Sequence, residues 1–178
     1  MEAPAASRVD AGAVRLAGLG DERAFTELVD FYHADLLRVC YSVCRDPDAA
    51  QEAAQSAWIH AWRKLSGLRE PERLRPWLLA IAANEARKVS KSRRRHVVTE
   101  IAFPEDADLI DPRNEPPDID LRNALARLSV DDRVLLALRY VGGLNATELG
   151  RVSGLTPSGT RARLARLLTR LRSDLGDG

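Results

Sequence analysis

The strongest constraint on the fold is a break in an otherwise continuous helical pattern. Apolar residues recur every three or four positions along most of the chain, and strand-like alternation never persists. From His96 to Asp120 the pattern stops. This stretch holds Pro104, Pro112, Pro116 and Pro117, and eight acids against a single base, Arg113, a net charge of −7. Such a segment cannot bury a core of its own and reads as a linker. The expectation is an all-α chain of two small helical domains on an acidic flexible tether. Its expected parts are an N-terminal tail over 1–20, a first domain over 21–95, the linker over 96–118 and a second domain over 119–178. The 178 residues leave room for two small cores.

In the first domain, Phe25, Leu28, Tyr32, Leu36, Val39 and Val43 mark a helix from about Asp21 to Cys44. Asp46-Pro47-Asp48 stops it and starts a second, to about Leu65, whose stripe of Ala50, Ala54, Ala57 and Ala61 allows close helix approach. Trp58 and Trp62 lie on that stripe and are assigned to the core. A third helix spans about Glu72 to Arg95. The second domain begins with a helix on Leu121, Leu125 and Leu128, followed by one capped by Ser129 or Asp131. Gly142-Gly143 ends that helix. A short helix of about Asn145 to Ser153, stopped by Gly154, then precedes a longer one that Thr156 and Pro157 open. A short helix, a tight glycine turn and a longer Arg-rich helix form the helix-turn-helix pattern.

The last helix places Leu164, Leu167, Leu168 and Leu171 on one side and Arg163, Arg166 and Arg170 on the other. An arginine stripe opposite a leucine stripe suits a major groove, where Arg reads guanine bidentately. An amphipathic helix with a solvated cationic face has the same pattern. The end of the third helix, Asn84 to Arg95, carries six cations against Glu85, a net charge of +5. Two basic surfaces on an acidic tether favour bipartite contact with a long DNA target, although the whole chain has a formal net charge of only +1.

Other classes fit poorly. His33, His60 and His96 are scattered, and the sequence holds no nucleophile–base–acid set, phosphate-binding glycine loop or metal-ligand spacing. Neither an enzyme nor a metal or cofactor protein is expected. Cys40 and Cys44 read as core cysteines. No apolar stretch is long enough to cross a membrane and the start lacks a signal-peptide core, so the chain is expected in the cytoplasm.

DPDAAQEAAQSAWIHAWRKL (Asp46–Leu65), LRPWLLAIAANEARKVSKSRRR (Leu74–Arg95) and LSVDDRVLLALRYVGGLNATELGRVSGLTPSGTRARLARLLTRL (Leu128–Leu171) together resemble bacterial sigma factors of the extracytoplasmic-function (ECF) class, group IV of the sigma-70 family. The resemblance runs from about Asp21 to Leu175. It implies a region 2 domain, a region 4 helix-turn-helix domain, and promoter-specific initiation with core RNA polymerase. It places core-polymerase contacts, to the clamp helices of the β′ subunit, at Glu52, Gln55, Ser56 and Ile59. It places −10 contacts at Arg69 and Arg73 in the loop Ser66–Arg73, and at Asn84, Arg87, Lys88 and Lys91. It places −35 contacts at Ser158, Arg161, Ala162, Arg163 and Arg166. Implied partners are core polymerase through its β and β′ subunits, promoter DNA and an anti-sigma factor. The sequence departs from the family pattern at Ser56, where Glu is usual, at Lys88, where Asp is usual, and at Gly150 and Gly159. A two-domain regulator that never meets polymerase, and a sigma-like decoy that binds polymerase without opening promoters, remain open alternatives.

Overall fold

A computed structural model describes residues 11–97 and 119–176; of the expected linker, 96–118, residues 96 and 97 belong to a helix and 98–118 lie outside the described residues. Asp21 starts the first long helix, α2 (Glu22–Cys44), by accepting the Ala24 N–H at 2.9 Å. Arg45 ends it in the left-handed region, its N–H bonding the Tyr41 carbonyl at 2.7 Å. Asp46 then caps α3 (Pro47–Lys64), with Pro47 in the first turn where its missing N–H costs nothing. Two 3-10 turns, Leu65–Gly67 and Pro71–Arg73, lead into α4 (Leu74–Val97).

Helices α2, α3 and α4 pack mutually into a bundle. The alanines of α3 explain how close the helices come: Ala49, Ala50, Ala53, Ala54, Ala57 and Ala61 are all buried. A preceding helix, α1 (Ala11–Gly18), buries Val14 and Ala17 against this bundle, where the sequence reading placed a tail. Only two of its eight residues are buried, too few for a stripe to stand out in the sequence. Trp58 takes its expected place in the core, edge-on to Phe25, with its indole N–H donated to His33 Nδ1 at 3.2 Å. Trp62 does not: it is 39% exposed and leans on Phe25 from the surface.

In the second body, α5 (Ile119–Arg127) is followed by α6 (Val130–Leu136). Of the two caps foreseen for α6, Ser129 is the one used; it accepts the Asp132 N–H at 3.1 Å. The helix widens into a π turn over Ala137–Val141, closed by Gly142 N–H to the Ala137 carbonyl at 2.8 Å. Asn145 and Glu148 form a capping box on α7 (Ala146–Ser153), and Gly154 stops it at φ 68°. Thr156 caps α8 (Pro157–Gly176) through the Gly159 N–H at 3.1 Å. Among the described residues the fold is all-α.

The two bodies are not held apart. Helix α6 and its π turn lie against α2 and α4, and the buried residues of both form one continuous cluster. Three contacts define the seam. Arg133, buried, donates from Nε to the Val43 carbonyl at 2.9 Å and from Nη1 to the Leu128 carbonyl at 3.0 Å. Arg75 donates to the Gly142 carbonyl at 2.7 Å and pairs with Asp35 at 2.9 Å. Gly142 itself has no room for a side chain, because a Cβ there meets the Leu138 carbonyl at 2.9 Å and Leu79 of α4 at 3.2 Å.

Candidate nucleic-acid interface

The second helix of the helix-turn-helix is built as its sequence pattern requires. Thr160, Leu164, Leu167 and Leu171 are buried on one face of α8. Ser158, Arg161, Ala162 and Arg166 are exposed on the other. The turn before α8 is tight: the Leu155 N–H bonds the Gly150 carbonyl at 3.0 Å, and a Cβ on Gly150 would stand 2.6 Å from the Leu155 carbonyl. The glycine at 150 therefore belongs to the close approach of α7 to the turn. Gly159 has a Cβ direction only 3.1 Å from the Thr156 hydroxyl, so its small size favours the cap.

Arg163 differs from its neighbours. It is half-buried, and its Nη2 and Nε donate to Asp132 Oδ1 at 2.7 and 3.2 Å. The Ser129 hydroxyl donates to the other Asp132 oxygen at 2.7 Å. Burial pulls the Asp132 carboxyl upward, but the Ser129 and Arg163 hydrogen bonds and the charges of Arg163 and Arg170 outweigh it, so it sits below the usual aspartate range. Arg163 is thus tied down within its own body.

The basic end of α4 is largely engaged as well. Arg87 Nη1 lies 3.5 Å from Asp131 Oδ1, and Lys91 Nζ lies 3.3 and 3.2 Å from the two Asp131 oxygens. Both pairs cross the seam from α4 to α6. Lys88 pairs at 2.7 Å with Glu85, which is 9% exposed and also 3.5 Å from His60 Nδ1. Lysine at 88 thereby satisfies a buried carboxylate on the preceding turn. Arg93 bridges to α3, 2.7 Å from Asp46 and 3.4 Å from Glu52. Asn84 is half-buried and borders, with Arg87, Asp131 and Arg163, a groove of about 180 Å³ floored by Leu135, Leu138 and Leu149. The structure therefore brings Asn84, Arg87 and Arg163 to one groove, although the sequence assigned them to separate surfaces. Arg69 and Arg73 stand exposed in the loop between α3 and α4, Arg73 paired with Glu70 at 2.5 Å.

On α3, Glu52, Gln55 and Ile59 are exposed and Ser56 is half-buried. Ile59, at 54% exposure, and Trp62 form apolar surface beside polar Gln55. The two cysteines point inward. Cys40 and Cys44 lie against the Ala82 and Ala86 carbonyls of α4, both at 3.6 Å. Burial, with Cys44 as a smaller contributor, pushes the Cys40 thiol up to about 12. Asp131 and Asp132, the partners of Arg87, Lys91 and Arg163, are residues that sequence reading did not place at the site. Their signal was local: two adjacent acids just after a serine cap, which reads as ordinary helix-dipole and cap chemistry.

Residues 28–96, the α2–α4 bundle, match Sigma-70 region 2. The chain is 29% identical over 168 residues to the "Probable RNA polymerase sigma factor RfaY" of Xanthomonas campestris, covering 89% of this chain but 42% of that protein. It is 26% identical over 174 residues to the "ECF RNA polymerase sigma factor SigW" of Bacillus subtilis, covering 89% and 92%. Its fold is similar to that of the sigma factor RpoE of Bartonella quintana, solved in complex with the anti-sigma factor NepR. The TM-score is 0.72 at 23% identity, over 86% of this chain and 98% of that one.

Proposed function

We propose that this chain, a sigma-70-family protein of the extracytoplasmic-function class, binds core RNA polymerase and directs promoter-specific initiation without catalysing a reaction itself. The observation that carries this reading is the sigma-70 region 2 match over 28–96 on the α2–α4 bundle, with an arginine-faced helix-turn-helix in the same chain. In this reading the bundle (21–95) is region 2 and residues 119–178 are region 4.

Each part has a physical task. Exposed Glu52, Gln55 and Ile59 on α3, with Ser56 beside them, form a mixed polar and apolar docking face for the β′ subunit. Ser158, Arg161, Ala162 and Arg166 on α8 face the −35 major groove, where small residues let the backbone approach and arginine reads guanine edges. Arg163 joins them once it leaves Asp132. Asn84, Arg87, Lys88 and Lys91 on α4, with Arg69 and Arg73 in the loop, take the −10 strand. An unpaired base must be held against an unstacking cost of a few kcal/mol. No described helix is long and apolar enough to cross a membrane, and promoter binding places the protein in the cytoplasm. The partners are core polymerase, promoter DNA and an anti-sigma factor, the last also named in the RpoE–NepR structure.

The test is transcription in vitro. Core polymerase with the purified chain should yield specific transcripts from a library of genomic fragments. Binding to core without any specific transcript would leave the decoy; no binding to core would leave the free-standing DNA regulator. Either result rejects this function.

A further inference from the structure

We propose that α1 positions the loop Ser66–Arg73, and through it sets base preference at the −10 element, without contacting DNA itself. The inference deepens the −10 reading given above and rests on it. The loop is anchored at its two ends by Leu65 and Leu74, both buried. Between them only Leu68 and Pro71 are half-buried; the rest of the loop is exposed. Its own bonds are local. The Leu68 N–H bonds the Leu65 carbonyl at 3.0 Å and the Arg73 N–H bonds the Glu70 carbonyl at 2.9 Å, one in each 3-10 turn. Arg73 also pairs with Glu70 inside the loop. Among the described residues, no hydrogen bond or ion pair ties the loop to α1 or α2. Its placement is therefore a matter of packing, and α1 packs on both turns. Val14, Ala17 and Gly18 share one face of α1, at i, i+3 and i+4. The first two are buried, and a Cβ on Gly18 would stand 3.5 Å from the Leu65 carbonyl oxygen and 3.6 Å from the Ser66 Cα. A larger side chain at 18 therefore presses on the start of the loop. The end of α1 is clipped to the start of α2: the Asp21 N–H bonds the Leu16 carbonyl and the Gly20 N–H bonds the Ala17 carbonyl, both at 3.1 Å. An eight-residue helix does not hold its shape alone. Helix α1 is thus ordered by what it packs on, and it connects the long helix α2 to a loop that has no bond to α2 of its own.

The experiment uses the full chain. Gly18→Leu sets bulk against Leu65 and Ser66, and because leucine forms helix better than glycine, any loss of loop order is not an unwinding of α1. Ala17→Asp detaches α1 by a second route, a charge placed at a buried position. Leu16→Ala, on the exposed side of α1, is the control. Hydrogen exchange followed by mass spectrometry reads the order of residues 65–73, with α8 as the reference. Core polymerase with each variant then transcribes one promoter from the genomic screen with its −10 element randomised, and sequenced transcripts report base preference. Both α1 variants should speed exchange in the loop, leave α8 and −35 duplex affinity unchanged, and lower preference at one −10 position about tenfold. Leu16→Ala should do none of these. Unchanged loop exchange in both variants overturns the support by α1, and faster exchange with intact −10 preference overturns its role in specificity. If Ala17→Asp loosens α8 as well, Gly18→Leu alone decides. Arg69→Ala separates this inference from the reading beneath it. Unaltered −10 preference in Arg69→Ala shows that the loop does not read the base, and no transcript from the wild-type chain rejects both readings together. Preference altered in Arg69→Ala but not in the α1 variants sinks this inference alone.

Discussion

Arg133→Met puts the seam between the two bodies to a quantitative test. Methionine keeps most of the buried volume and the apolar stem but removes the guanidinium. The Val43 carbonyl, at the C-terminal end of α2 where carbonyls lack helical partners, then loses its donor at 2.9 Å, and the Leu128 carbonyl loses one at 3.0 Å. Each buried acceptor left unpaired costs about 1–3 kcal/mol. Part of that is offset because a guanidinium no longer has to be desolvated. A net loss of about 2 kcal/mol is expected, which for a chain of this size lowers Tm by about 4–8 °C. Thermal unfolding followed by circular dichroism should show one cooperative transition, moved down as a whole, because Arg133 joins both bodies. An unchanged Tm would refute the bond accounting. Two transitions, of which only one moves, would show that the bodies melt independently and that the seam contributes nothing.

Gly150→Ala should weaken −35 duplex binding and lower stability by about 1–3 kcal/mol, since a Cβ 2.6 Å from the Leu155 carbonyl forces the turn open; equal stability and equal gel-shift affinity would count against this geometry. Glu52→Lys with Gln55→Ala should reduce binding to core polymerase in a pull-down while helicity stays constant, and undiminished capture would move the docking face elsewhere. Arg166→Ala should relax base preference at one or two −35 positions by about 1–3 kcal/mol, measured by competition among variant duplexes. Asp132 has a folded-state pKa below its unfolded one, so its contribution is present above about pH 4 and fades as the pH falls through the folded value. Asp132→Asn should therefore flatten the acid limb of the stability profile, and an identical acid limb would contradict the Ser129–Arg163 cradle.

Within each body the fold was readable because the signals are local. Asp21, Asp46, Ser129, Asn145 and Thr156 each cap the helix they precede, and each cap needs only the next three residues. The alanine stripe of α3 foretold close packing for the same reason: the absence of side-chain bulk is visible in sequence. Helix α1 was missed because Val14 and Ala17 are its only buried residues. Trp62 was misplaced because the stripe of a short three-helix bundle is narrower than its apolar residues, and the ring at its margin faces solvent. Of the −35 residues that the resemblance implies, Ser158, Arg161, Ala162 and Arg166 are exposed, whereas Arg163, which periodicity grouped with Arg166 and Arg170, is held by Asp132. Periodicity says which face a residue occupies, not whether another element already covers that face.

The seam is the case where that limit matters. Charge counting separated a −7 linker from two basic surfaces and implied an open, tethered arrangement. Counting net charge hides Asp131 and Asp132, because a helix start is where two acids need no further explanation. A different signal was present. Val134, Leu135, Leu136, Ala137 and Leu138 are consecutive apolar residues, and all five are buried. One face of a helix covers about half of such a run, so the other half requires a second surface. The second surface is α2 and α4 of the first body. An uninterrupted apolar run inside an amphipathic domain therefore marks a helix buried on more than one side. Here it brings Asp131, at its start, against Arg87 and Lys91 of α4, so the packing that completes the core also sets this charge pairing.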